Sequence, residues 1–130
     1  MAKEPKLNEL TKRERQIMDV VYRLQKASAV EIVEHLPGEH KNATIRTLLG
    51  VMEEKGFLRH ESVKGKYIYY PTIPLQKAAR VALNQVLETF FQGAEARAVI
   101  SILKKSDAKL TDEDVELILN LIDKSREEGR

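Results

Sequence analysis

With 130 residues, 42% of them hydrophobic, and no cysteine, the chain has enough apolar side chains for one or two small cores, and it has no means of forming a disulfide, a thiolate metal site or a cysteine nucleophile. Its charges nearly cancel at +2, but unevenly: residues 1–72 hold thirteen Lys and Arg against ten Asp and Glu, and residues 73–130 hold nine against ten, a slight lean of the N-terminal half toward polyanions. The longest apolar run, 98–103 broken by Ser101, is far short of the roughly 20 residues of a spanning helix, and MAKEPKLNEL has no apolar signal segment, so a cytoplasmic protein without direct membrane insertion is expected.

Residues 1–10 are a polar lead, with 1–9 expected to be mobile. Thr11 and Glu14 are spaced as a capping box, and Leu10, Ile17, Met18, Val21 and Leu24 follow at helical spacing, predicting a helix near 11–25. Ser28 and Glu31 form a second capping box; Ala29, Ile32, Val33 and Leu36 supply the stripe of a short helix that Pro37-Gly38 stops. A third helix spans 42–55, with Ile45, Leu48, Leu49 and Met52 on one face and Lys55-Gly56 closing it. The period then drops to two: 57–63 and 67–71 are aromatic and β-branched, with Lys64-Gly65-Lys66 between them, which predicts a hairpin.

Pro71 and Pro74 mark a boundary, giving an N-terminal domain over 11–73 and a helical domain over 74–130. Helices are expected at 75–91, near 95–104 and from Thr111 onward, where Asp112, Glu113 and Asp114 suit the positive helix end. The last should bury Val115, Ile118, Leu119 and Ile122, and it carries a second apolar row at Leu117 and Leu121. Three short helices with apolar surface on more than one face cover themselves poorly. A two-fold homodimer is therefore expected, with Leu83, Val86, Leu87, Phe90, Leu117 and Leu121 at its interface; the alternative is that these helices fold over the N-terminal core.

Three helices and a hairpin, in that order, make a winged helix-turn-helix, mainly α with a small β-hairpin, followed by a helical dimerisation domain. In such a module the third helix enters the major groove of double-stranded DNA. Arg46 suits a bidentate contact to guanine, and Asn42 one to adenine if it is not the N-cap; Thr44 and Thr47 offer hydroxyls to phosphates or bases and methyls to thymine. Gly50 lets the helix approach a backbone, and Lys64 and Lys66 on the wing suit phosphates. Asn42, Ala43, Thr44, Arg46, Thr47, Lys64 and Lys66 form the candidate DNA-binding set. The bland alternative is a solvated polar face and an ordinary hairpin tip, with Arg59 and His60 as strand residues facing water.

The order and spacing of these motifs resemble the penicillinase-repressor family, with its methicillin-resistance and copper-responsive branches. The resemblance rests on Leu10-Thr11, Glu14, Ile17-Met18 and Val20-Val21-Tyr22 in the first helix; on Thr44-Ile45-Arg46-Thr47-Leu48-Leu49 and Lys55-Gly56 in the third; and on Gly65-Lys66 with Tyr67-Ile68-Tyr69-Tyr70-Pro71 in the wing. Phe90-Phe91-Gln92-Gly93 and Leu110-Thr111-Asp112-Glu113-Asp114 carry it into the C-terminal part. Tyr22 stands where a tryptophan is usual, and Val51-Met52 where the family often has Arg-Leu, so one family contact to DNA is missing. The resemblance implies a homodimeric repressor on an inverted repeat with TACA-type half-sites, read by Thr44, Arg46 and Thr47. Without cysteine the copper-responsive release motif is excluded. The β-lactam branch is released by proteolysis between Asn and Phe, downstream of a membrane-embedded sensor protease; the corresponding pair here is Ser101-Ile102, for which the alternative reading is a plain helix core position at Ile102.

A metal site would have to use His35, His40 and His60, whose spacing lacks the two-His helical motif, so no metal or other cofactor is expected. No nucleophile-base arrangement, phosphate-cradling loop or paired-carboxylate pocket stands out, and an enzyme is not expected. The stronger rival is a winged helix used as a protein-interaction module. It would show an apolar patch on the third helix or wing, and Tyr67 and Tyr69 are the residues that favour it.

Overall fold

The computed structural model describes residues 5–105 and 107–129. They form two compact units that divide between Asn84 and Gln85.

In the first unit, a single 3-10 turn, Leu7–Glu9, precedes helix α1, Lys12–Leu24. Among residues 5–9 the lead is therefore structured, not the mobile stretch expected: the Leu10 amide donates to the Leu7 carbonyl, and Leu7 packs on the core. Residues 1–4 of that lead lie outside the described residues. Both capping boxes form. The Glu14 amide donates to the Thr11 hydroxyl and the Thr11 amide to the Glu14 carboxylate; Ser28 and Glu31 repeat this at helix α2, Ala29–His35. Two orphan amides are satisfied at each start, which fixes where each helix begins.

Helix α3, Asn42–Glu54, begins differently. Its N-cap is Lys41, with no side-chain cap, and its first turn holds no acid. Asn42 is thus the first helical residue, and its amide side chain is not engaged as a cap. Ile45, Leu49 and Met52 are fully buried, each contributing about 1.5–3 kcal/mol by the usual transfer scale. They pack with Ile17, Met18 and Val21 of α1 and Ile32 of α2 in one cluster.

The hairpin comprises β2, Leu58–Val63, and β3, Lys66–Pro71. Val63 faces Lys66 across a two-residue turn, in which Lys64 and Gly65 have φ of 51° and 79°. Positive φ at both positions is the type I′ geometry that matches strand twist. A short strand not anticipated from the sequence, β1, Ala27–Ser28, pairs antiparallel with β3, giving a sheet in the order β1-β3-β2. The Tyr22 hydroxyl donates to the Ile73 carbonyl at 2.9 Å, tying α1 to the end of the wing.

The polar side chain buried with this core is Glu14, 2% exposed. Its Oε1 accepts from the Thr11 amide, and its Oε2 takes the Lys55 ammonium at 2.8 Å. The pair joins the start of α1 to the end of α3. Burial alone would raise the Glu14 carboxyl's pKa, but the bonds from Lys55 and Thr11 outweigh it and hold it below the ordinary 4.5.

Helix α4, Leu75–Phe91, begins in the first unit, where Ala78 packs on the core. The second unit contains the rest of α4, then α5, Glu95–Lys104, and α6, Asp112–Glu128, which opens with a Thr111–Asp114 capping box. Ala98 is its one buried side chain among the described residues. The expected burial of Val115, Leu119 and Ile122 is not found: they are 41%, 55% and 45% exposed, and only Ile118 is half-buried. The apolar rows exist, but nothing within the unit is large enough to cover them.

Candidate nucleic-acid interface

The stripe that buries Ile45, Leu49 and Met52 dictates what α3 presents outward. Asn42, Ala43, Thr44, Arg46, Thr47 and Gly50 are all exposed. Asn42, Ala43 and Thr44 lie in the first turn, where the unneutralised helix dipole and free amides favour anions; Arg46 and Thr47 follow one turn on, and Gly50 lies mid-helix. Thr47 donates its hydroxyl hydrogen to the Ala43 carbonyl at 3.0 Å. Of the Val51-Met52 pair, Met52 is core, and Val51 is the single large exposed apolar residue of α3 among the described residues.

Gly50 has no internal reason to be glycine: its helix is regular, and a Cβ built there meets nothing within 4 Å. Gly50→Ala should therefore stabilise the protein by roughly 0.5–1 kcal/mol. If a DNA backbone packs against this turn, the same variant should bind DNA more weakly, which thermal melting and anisotropy titrations on one preparation would test.

The wing is braced to α3 by residues whose role the sequence did not disclose. His60 of β2 is half-buried, not facing water as an ordinary strand residue would; its Nδ1 sits 2.6 Å from the Glu53 carboxylate. The His60 ring stacks on Tyr67 with centroids 4.1 Å apart and leans on Tyr69 at 5.8 Å. Burial raises the pKa of the Tyr69 hydroxyl, with Glu53 and Tyr67 adding to the shift and Arg46 opposing it. Arg46 and Glu53, seven residues apart in α3, lie on the same side of the helix. Alternation in 57–63 placed His60 on a face, but only the fold brings Glu53 to it.

Lys64 and Lys66 are both exposed, Lys64 at the turn itself. The Glu31 carboxyl is held low first by the Ser28 amide, with His35 and then Lys66 adding weaker attraction. Arg59 lies over the Tyr70 ring at 4.4 Å and pairs with Glu61.

The histidines have separate partners: His35 meets the Glu31 carbonyl, His40 the Arg13 guanidinium, and His60 Glu53. Among the described residues no group of three or more His, Cys, Asp or Glu could hold a metal ion, and no helix is long and apolar enough to cross a membrane. Tyr69, 6% exposed, belongs to the core; Tyr67 stays 53% exposed but is stacked on His60. Among the described residues the large apolar side chains exposed on the wing and α3 are Val63, Tyr67 and Val51.

Three helices, a wing, and a third helix that turns a polar N-terminal face outward define a winged helix-turn-helix protein. The chain belongs to the penicillinase repressor family of DNA-binding transcriptional repressors, whose sequence profile matches residues 10–124. It is 22% identical over 121 residues to the methicillin resistance regulatory protein MecI of Mammaliicoccus sciuri, covering 92% of this chain and 97% of that one. It is 24% identical over 107 residues to an uncharacterized 16.5 kDa protein, encoded in the ptsI 3′ region of Latilactobacillus sakei, covering 81% and 73% respectively.

Proposed function

We propose that this protein binds a short inverted-repeat operator as a cytoplasmic homodimer and represses the genes beside it. Asn42, Ala43, Thr44, Arg46 and Thr47 lie in the major groove, with Arg46 on a guanine, and Lys64 and Lys66 hold phosphates. The observation that carries this reading is the division of α3: its apolar stripe is fully buried while its uncapped N-terminal turns expose hydrogen-bonding side chains and an arginine. Residues 11–73 are the DNA-binding domain and residues 74–130 the dimerisation domain. The interface comprises Leu83, Val86, Leu87, Phe90, Leu117 and Leu121, of which Leu87 is half-buried and the others exposed in the single chain.

The half-sites are TACA-like, altered where Val51 replaces the family's arginine. Release is by proteolysis between Ser101 and Ile102, with a membrane-embedded sensor protease as the upstream partner. Both residues are exposed in α5 of the single chain, Ile102 at 52%. A bond inside a helix must open locally before a protease can take it.

Enrichment from a randomised duplex library tests the reading. The expected product is an inverted repeat with half-site centres a whole number of helical turns apart, about 10 base pairs or a multiple of it. Equal recovery of all sequences would overturn it. A protein-interaction module would in addition lack the steep loss of DNA affinity with salt that counterion release produces.

A further inference from the structure

We infer that Thr47 reads a thymine through its methyl group, with its hydroxyl held by its own helix; the inference rests on the base-reading role proposed for α3. A threonine hydroxyl has one hydrogen. In Thr47 that hydrogen goes to the Ala43 carbonyl one turn back, at 3.0 Å, a back-bonding arrangement open to threonine in helices. Phosphate oxygens only accept hydrogen bonds, as do thymine O4, purine N7 and guanine O6. Thr47 has nothing left to donate to any of them; what its oxygen keeps is the capacity to accept from adenine N6 or cytosine N4, which Thr47→Val in the test below removes.

The same bond draws Oγ1 onto the backbone and leaves the other branch of Cβ, the methyl, as the group that Thr47 projects from the exposed face. Its neighbours there are Arg46 and, one turn on, Gly50, whose missing side chain leaves open space beside it. Thr44, three residues earlier, is also exposed; its hydroxyl makes no hydrogen bond among the described residues, so its hydrogen is open to a phosphate or a base acceptor. The two threonines thus have different chemistry: Thr44 donates, and Thr47 presents a methyl. The partner of an apolar group in the major groove is the C5 methyl of thymine.

The test uses the duplex enriched from the randomised library, with each thymidine replaced in turn by deoxyuridine, which keeps every hydrogen-bonding group and removes only the methyl. One position per half-site should weaken wild-type binding about fourfold, the factor expected for one buried methyl. Thr47→Val, which keeps the methyl and loses the hydroxyl, should bind within twofold of wild type and keep that sensitivity. Thr47→Ser, which keeps the hydroxyl and loses the methyl, should bind about fourfold more weakly per half-site and be indifferent to the replacement. A tenfold or greater loss in Thr47→Val would overturn the inference while leaving base reading by α3 intact. A Thr47→Ser protein as uracil-sensitive as wild type would do the same. Failure of the library to yield any preferred duplex would overturn both this inference and the reading beneath it.

Discussion

A chain carrying Phe90→Glu and Leu121→Glu is expected to sediment as a monomer and to lose two to four orders of magnitude in affinity for a duplex with two half-sites, roughly the advantage of joining two binding modules. Binding to a single half-site should be unchanged. Phe90 is 74% and Leu121 57% exposed in the single chain, so replacing them removes little packing from the protomer itself. If their place in the molecule is a two-fold interface, each carboxylate is instead buried twice in an apolar contact without a partner, which costs several kcal/mol. The second unit buries Ala98 alone among its described side chains, and so short a unit cannot hold its helices in register on that contact. Persistence of the dimer in sedimentation would place the interface elsewhere.

The second large effect is expected at the Glu14–Lys55 pair. Lys55→Met should destabilise the protein by roughly 2–3 kcal/mol at pH 7, below the ~3–5 typical of a broken buried pair because Lys55 is half-exposed and only the carboxylate is left stranded. For a domain of this size that is a fall of roughly 10 °C or more in melting temperature. The pH dependence carries the sign. Glu14 has a folded-state pKa below its ordinary 4.5, so its contribution is fully present above that value and is lost as pH falls through the lowered one. The difference between wild type and Lys55→Met should therefore be largest near neutrality and shrink toward pH 3. A difference independent of pH would mean that the lysine acts through packing alone.

Local signals made much of the fold legible in the sequence. Two capping boxes and a stripe at 3.6-residue spacing located α1 and α2 within a residue or two, because a helix start is satisfied by side chains three positions away. The hairpin was legible from alternation, although its turn carries Lys64 where asparagine would sit more easily at positive φ. What escaped was non-local. Strand β1 is two residues long and exists because β3 passes beside it. Glu14 was legible as a cap, but its partner Lys55 lies 41 residues away. The brace of Glu53, His60 and Tyr67 likewise needs the wing folded against α3 before its members meet.

In the C-terminal helices, periodicity gave the apolar rows as patterns but not what covers them: of the four residues expected to be buried in α6, Ile118 is half-buried and Val115, Leu119 and Ile122 are exposed in the single chain. For the candidate interface, the buried stripe of α3 was enough to name its outward residues. The sequence left open whether Asn42 serves as cap, which the structure assigns to Lys41, and how the two threonines divide their hydrogens.

The central claim is that the exposed N-terminal face of α3 reads bases, and fluorescence anisotropy tests it most directly. The probes are the duplex from upstream of the protein's own gene and a shuffled duplex of equal composition, each titrated at two salt concentrations with wild type and Arg46→Ala. Wild type should prefer the native duplex at both salts, a preference reduced by roughly 1–3 kcal/mol in Arg46→Ala, with much less change on the shuffled duplex. A native-duplex preference that survives Arg46→Ala undiminished would contradict that claim.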